Sequence, residues 1–332
     1  MSSPTYRTGL VGCGNRGQHF FDSYFKQCER AEIVAVADVV EDNLAYFREA
    51  GAATFSSAGE MVSQADLDLV LVIVNPAWHT SVMREILDRD VSLKGIYLEK
   101  PMTTHLGEAD ELVEACEGGD IKLVVGHQLR YTSGWSDPRQ LLDSNAIGRA
   151  HFMRAVRHGP PILTHHTHQT NLMLYYMNDE PILWVLGQIH RNKDHKSEGI
   201  NAEEQALGFL QFQNGAAGII EAGKYEPTAQ GQIFIVGEEG DIRVLAGKTS
   251  YRNEETGGRW EPFTAEAPPN IFDDWISWIE GGPEHRCSYR NGHATLEALL
   301  AIYESSRSRQ RIDLPMQVRG NALEEMIGAG EI

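Results

Sequence analysis

Over roughly the first 125 residues, short apolar runs alternate with helical patterns. Tyr6-Arg7-Thr8-Gly9-Leu10-Val11 reads as a buried strand, and a helix follows through Phe20, Phe21, Tyr24 and Phe25. A second strand at 33–37 leads to a helix through Leu44, Phe47 and Ala50. Residues 53–55 and a helix near Met61 and Val62 come next. Residues 69–74 are apolar at every position, as a central parallel strand buried on both faces requires. A helix through Val82, Ile86 and Leu87, a strand at 95–98, a helix at 106–115 and a strand at 122–125 complete the series. Such alternation predicts an α/β fold with a doubly wound parallel sheet.

After Gly126 the period changes. Strand patterns succeed one another at 150–156, 204–213, 218–224, 232–236 and 241–245, with hairpin turns at Asn214-Gly215 and Glu239-Gly240. A helix at 172–177 interrupts them. Late helices at 272–279 and 294–306 either pack on this sheet or return to the first domain. The expected division is a dinucleotide-binding domain at 1–126 and an α+β domain at 127–332 with a mostly antiparallel sheet. Both faces of its strands are apolar: Leu207 and Phe209 oppose Ala206, Leu210 and Phe212, and Ile233 and Ile235 oppose Phe234 and Val236. Helices can cover one face. The other needs a loop, the C-terminal tail or a second subunit, and the favoured reading is a homo-oligomer, a dimer or tetramer.

A chain of 332 residues is too long for one ordinary core, which agrees with two domains. Its formal net charge of -18 argues against non-specific binding to nucleic acid or an anionic membrane. Met1-Ser2-Ser3-Pro4-Thr5 has no apolar signal core, and no segment has the length and apolarity of a membrane span. Cys13, Cys28, Cys116 and Cys287 show no C-x-x-C spacing and suit reduced thiols in a cytoplasmic protein.

Between the first strand and its helix lies Gly12-Cys13-Gly14-Asn15-Arg16-Gly17, and Asp38 ends the second strand. Gly12 allows a tight turn, Gly14 lets backbone approach a pyrophosphate, and Gly17 lets helix and strand pack closely. The helix N-terminus offers N–H donors to the anion. Asp38 accepts hydrogen bonds from ribose hydroxyls and repels a 2′-phosphate, and Val39 and Val40 supply no cation. The expected cofactor is NAD rather than NADP, with Arg16 and Arg48 the cations nearest in sequence. Cys13 serves as a small loop residue.

Glu99-Lys100-Pro101 follows a strand at the carboxyl end of the sheet, where such folds bind ligands. Lys100 could bind or protonate a substrate oxygen, whereas Glu-Lys-Pro alone also reads as a strand-end ion pair and turn. With Asn75-Pro76 and His79 after the central strand, and the run 298–307, these motifs resemble the glucose–fructose oxidoreductase / inositol dehydrogenase (Gfo/Idh/MocA) family. The resemblance spans nearly the whole chain. It implies an NAD(P)-dependent enzyme acting on sugars, polyols or their derivatives, and an open sheet used for oligomerisation. It places proton handling on Lys100. Cofactor binding falls to Gly12, Gly14, Asn15, Arg16, Gly17, Asp38, Asn75, Pro76, His79, Glu99 and Lys100.

The family usually adds an aspartate and a histidine spaced D-x-x-x-H. Matching the following helix and Pro181 puts the histidine on His168 and the aspartate position on Thr164, a departure from the pattern. Threonine can exchange hydrogen bonds but cannot hold a charge. His168 is then a second acid–base group, and Thr164, His165 and His166 are substrate contacts or hydrogen-bonding residues. His127 and Arg130 fall where the family lines its cleft, although Arg130 could instead hold an ion pair. Trp78 could stack near the cofactor or simply pack. Three histidines in four positions invite a metal, but no carboxylate or cysteine lies close by, and none is assigned. The leading function is an NAD-dependent sugar or polyol oxidoreductase. An alternative is a redox-neutral enzyme that oxidises a glycoside transiently for elimination, hydrolysis or epimerisation. A third is a non-catalytic NAD-binding regulator.

Overall fold

The structure is a computed structural model that describes residues 5–159, 161–223 and 231–332. These residues divide into two compact units. One comprises residues 5–103, 108–126 and 269–289, and the other comprises residues 104–107, 127–159, 161–223, 231–268 and 290–332. The strand pattern at 218–224 ends on Lys224, outside the described residues, as do Met1 to Pro4.

The first unit alternates strands and helices. In chain order these are β1 (Tyr6–Val11), α1 (Asn15–Ser23), β2 (Ala31–Ala37), α2 (Ala45–Glu49), β3 (Ala53–Phe55), α3 (Ala58–Gln64) and β4 (Leu69–Val72). Then come α4 (His79–Leu87), β5 (Gly95–Leu98), α5 (Leu106–Gly118) and β6 (Lys122–Val125). The six strands pair in the order β3-β2-β1-β4-β5-β6, all parallel. This is the doubly wound arrangement, with its reversal of strand order between β1 and β4. The uninterrupted apolar run of β4 is explained by burial on both faces, for all four residues are out of solvent. Later in the chain, Phe272 and Trp275 join Phe20, Phe25 and Tyr97 in an aromatic cluster, and Trp275 donates its indole N–H to the Lys122 carbonyl at 3.0 Å.

The second unit contains α6 (Pro138–Asp143), β7 (Ala150–His158), α7 (Thr167–Tyr176), β8 (Ile182–His190), β9 (Lys196–Ser197), β10 (Ile200–Asn201), β11 (Gln205–Phe212) and β12 (Ala217–Gly223). It continues with β13 (Gln232–Gly237), β14 (Gly240–Leu245), β15 (Lys248–Asn253) and β16 (Glu261–Phe263). After α8 (Ile271–Ile279) of the first unit, the chain enters α9 (Tyr289–Ser308), then β17 (Ile312–Asp313) and α10 (Ala322–Gly328). Nine strands form one open sheet in the order β16-β15-β14-β13-β7-β12-β11-β8-β17. Only β7 and β12 pair in parallel; the others are antiparallel.

β8 carries no alternation that would mark it in the sequence, because apolar residues occupy both of its faces and a glycine sits at its centre. That glycine has a packing reason. Gly187 pairs with Gly208 of β11, and a Cβ on either would stand within 2.8 Å of Ile302 side-chain atoms. The two glycines let α9 lie directly on the sheet. The face beneath the helices is dry, with Ala206, Leu210, Ile220, Ile233 and Ile235 buried. The other face is open: Leu186 is 50% and Leu207 46% exposed. They border a shallow groove of about 540 Å³ that also includes Phe209 and Ile219. Among the described residues, no helix is long and apolar enough to cross a membrane.

Candidate cofactor cleft and histidine cluster

In the first unit, the turn after β1 is shaped by what glycine lacks. Gly12 has φ of 93°, and a Cβ there would stand 2.4 Å from the Ile73 carbonyl oxygen. A Cβ on Gly17 would lie 1.9 Å from the Gly12 carbonyl oxygen, so α1 could not leave the turn at its present angle. Gly14 differs: a Cβ would meet nothing closer than the Asn43 side chain at 3.5 Å. The protein alone does not demand glycine there. A ligand lying on the turn would. No side chain caps α1, which leaves its first backbone N–H groups directed outward.

Asp38 stands at the rim of this turn. One carboxylate oxygen accepts the Cys13 N–H at 2.7 Å; the other accepts the Val40 N–H at 2.8 Å and the Asn43 amide at 3.1 Å. A cleft of about 600 Å³ opens here, lined by Gly12, Gly14, Asp38, Asn75 and others. Val39, 90% exposed, and Trp78, 63% exposed, give it an apolar border. These groups fit a dinucleotide: N–H donors for phosphates, a carboxylate for ribose hydroxyls and flat apolar surface for a base. Asn75 accepts the Ala77 N–H at 3.1 Å and so caps the short turn that begins at Pro76.

Arg16, the second residue of α1, forms an ion pair with the buried Glu99 at 3.2 Å. That carboxylate holds the Arg16 pKa above its ordinary value. The pair ties the glycine turn to the segment that carries Lys100, itself buried. His79 performs a similar task from another side. It is fully buried, with Nδ1 2.8 Å from the Pro101 carbonyl oxygen and Nε2 3.2 Å from that of Val74. Burial lowers its pKa to about 4, and the charge of Lys100 contributes. The ring lies between the loops after β4 and β5, and in its neutral form it donates its one N–H to one of the two carbonyls, the nearer being that of Pro101.

In the second unit, residues Ile162–His166 make a wide helical turn that runs into α7. His168 is the second residue of that helix. Three neighbouring histidines have different surroundings. His165 and His168 are half-buried, whereas His166 is fully buried. His166 Nε2 lies 3.2 Å from the Ala155 carbonyl oxygen, which can only accept, so Nε2 carries the proton and Nδ1 accepts from the Thr170 hydroxyl at 3.2 Å. Burial depresses its pKa to about 4. His166 is therefore a neutral packing residue, and His165 and His168 are the two with access to solvent. His127 is hydrogen-bonded to the Thr167 hydroxyl at 2.9 Å, and its ring stands perpendicular to that of His168 with centroids 5.9 Å apart. Thr164 is buried.

Arg130 is buried and its guanidinium is held within this unit. It donates to both oxygens of Asp179 at 2.8 and 2.7 Å, and to the side chain and carbonyl of Asn171 at 2.6 and 3.0 Å. That geometry is an internal ion pair. Glu203 has no local sequence signal, yet it anchors the histidine segment. Its carboxylate accepts the Ile162 N–H at 2.7 Å and the Tyr303 hydroxyl at 2.6 Å. Burial raises its pKa. Among the described residues, no group of three histidine, cysteine, aspartate or glutamate side chains is arranged to hold a metal.

Comparisons with known proteins agree with this architecture. A model of an oxidoreductase family with an NAD-binding Rossmann fold matches residues 6–127, and a GFO/IDH/MocA C-terminal domain matches residues 108–243. Inositol 2-dehydrogenase 3 of Saccharopolyspora erythraea is 25% identical over 337 residues, spanning 95% of this chain and 97% of its own. The myo-inositol 2-dehydrogenase of Thermotoga maritima is 22% identical, spanning 97% of this chain and all (100%) of its own. Among solved structures, the WlbA dehydrogenase from Bordetella pertussis, in complex with NADH and UDP-GlcNAcA, aligns with a TM-score of 0.77 at 23% identity. That alignment covers 94% of this chain and 100% of the other. The parallel six-stranded unit, the open mixed sheet and matches to both family domains lead to one conclusion: the chain belongs to the Gfo/Idh/MocA family of NAD(P)-dependent oxidoreductases.

Proposed function

We propose that the protein transfers a hydride between a secondary hydroxyl of a sugar or polyol and NAD. The observation that carries this reading is the cleft in which a glycine turn, an uncapped helix N-terminus and the Asp38 carboxylate meet. The relatives named as inositol dehydrogenases support a polyol or sugar as the substrate class. NAD is favoured over NADP because a 2′-phosphate would face the Asp38 carboxylate, and the neighbouring Val39 and Val40 bring no cation.

When bound, the nicotinamide supplies the hydride acceptor. The remaining work falls to side chains. Oxidation of an alcohol releases a proton as well as a hydride, and a lysine near the reacting oxygen can take it up. Lys100 has that role here, held by a segment that the Arg16–Glu99 pair and the His79 ring fix in place. His168 is the second proton-exchanging group; its helix is anchored at the preceding turn by Glu203. Thr164, at the position that the family resemblance gives to an aspartate, is expected to supply a hydrogen bond and no charge.

A screen of sugars, inositols and glycosides with NAD tests the proposal. NADH and oxidised product should form in equal amounts. Product formed without net NADH would assign the protein to the redox-neutral reactions instead. Failure to transform any member while NAD binds would leave a binding protein.

A further inference from the structure

β7 carries two arginines on opposite faces, and their surroundings differ. Arg154 lies on the open face and donates to both oxygens of Glu221, at 2.6 Å from Nε and 2.9 Å from a terminal nitrogen. Arg157, three residues on, shares the opposite face with Met153 and Ala155, both buried. Its Nε is out of solvent and, among the described residues, finds no acceptor. Among the described residues its guanidinium forms neither a hydrogen bond nor an ion pair. Burial lowers its pKa below the ordinary value. The charge of Glu198, at the turn between β9 and β10, works in the other direction.

The location adds meaning to this isolation. The Ala155 carbonyl, two residues before Arg157, accepts from His166, and the Arg157 charge reaches that imidazole. Two residues after Arg157, a Cβ on Gly159 would stand 3.6 Å from His165 Nδ1. Arg157 thus stands at the end of β7 beside the histidine segment that leads to His168. With no counter-ion among the described residues, a half-buried guanidinium has hydrogen-bonding capacity to offer, and its planar fork is shaped for a carboxylate or a phosphate. A purely structural arginine in this fold looks different, as Arg130 and Arg154 show with their bidentate carboxylates.

We propose that Arg157 receives an anionic group of the substrate, so that the sugar or polyol is one that carries a carboxylate or a phosphate. This inference rests on the reading of the protein as a sugar or polyol oxidoreductase. The anion completes the guanidinium's hydrogen bonding and anchors the substrate beside the histidine segment. A neutral sugar leaves the cation unpaired and binds more weakly.

The test compares wild type with Arg157→Gln and Arg157→Lys on matched sets: aldose, aldonate, uronate and sugar phosphate of one carbon skeleton. NADH formation is followed, and substrate affinity of the NAD-loaded protein is measured by calorimetry. Wild type should prefer an acidic member, and Arg157→Gln should lower its kcat/KM by about a hundredfold or more while leaving neutral sugars unchanged. Arg157→Lys should retain part of the preference. Carboxylate and phosphate members separate the two anion sources. NAD affinity, measured on the same samples, should be unaltered and shows that the variant is folded. Equal use of neutral and acidic members by wild type and Arg157→Gln would overturn the proposal while leaving the oxidoreductase reading intact. If no member is oxidised, that reading fails, and calorimetry decides the anion site alone: lost affinity for the acidic sugars in Arg157→Gln supports it, and unchanged affinity overturns it.

Discussion

The Asp38 carboxylate accepts the backbone N–H of Cys13 at 2.7 Å, so the acid that ends β2 also braces the turn after β1. It engages Val40 and Asn43 as well, which makes one side chain the organiser of the cleft's rim. Asp38→Ala should lower stability by about 1–3 kcal/mol, from donors left unsatisfied at a partly exposed site. It should also weaken NAD binding and narrow the gap between NAD and NADP. Calorimetric titration with both cofactors checks this. Tighter binding of NADP by wild type would overturn the assignment of Asp38.

Lys100→Ala should reduce turnover by roughly a hundredfold to ten-thousandfold, the usual cost of losing one acid–base group. NAD affinity should change little, because the lysine is assigned to the reacting oxygen. Steady-state kinetics on a verified substrate, with a parallel NAD titration, separates the two effects. A variant with wild-type turnover would move the chemistry to another residue.

For His168, the expected outcome of an alanine substitution is loss of most of the rate with NAD binding retained. Thr164→Asp introduces the D-x-x-x-H spacing that the family resemblance implies, but Thr164 is buried here, and an added carboxylate would lose its hydration. Activity should therefore fall rather than rise. A gain in NADH production by Thr164→Asp would mean that the histidine cluster depends on a carboxylate after all.

Two buried histidines set a direction for acid stability. His79 and His166 have folded pKa values near 4, against an ordinary 6.5. Between those values the unfolded chain binds more protons, so stability falls as pH drops from about 6.5 towards 4. Each contributes on the order of 3 kcal/mol at most. Glu203, whose pKa is raised by burial, acts in the opposite sense. Urea denaturation at a series of pH values should show a shallower acid slope in His166→Gln than in wild type. Parallel slopes would mean that His166 is protonated in the folded protein.

The open sheet face leads to an assembly prediction. Leu186 and Leu207 are about half exposed and border the groove containing Phe209 and Ile219. We expect a second copy of the chain to cover this face, and light scattering at micromolar concentration should report an oligomer. Leu186→Glu with Leu207→Glu should yield a folded monomer. A monomeric wild type would leave the face to another partner.

Local pattern carried much of the architecture. The apolar run of β4 shows its burial in its own residues, Gly17 is required by the Gly12 carbonyl in the same turn, and Asp38 meets that turn from the end of the next strand. The doubly wound sheet and its cleft followed from these signals. The second sheet was legible only in part, since β8 has apolar residues on both faces and its central glycine is explained by Ile302, more than a hundred residues away.

The sequence by itself determined which residues could do chemistry: Lys100 after a strand, Asp38 beside the glycines, and histidines at 165, 166 and 168. The tertiary structure decided which of them remain available. It buries His166 against Ala155 and His79 between two carbonyls, and it occupies Arg130 with Asp179. Among the described residues it gives the Arg157 Nε no acceptor, and it joins Glu203 to Ile162 and Tyr303. Those outcomes depend on burial and on partners distant in the chain. A residue's own identity states what it can donate or accept, and only its surroundings state whether that capacity is already used.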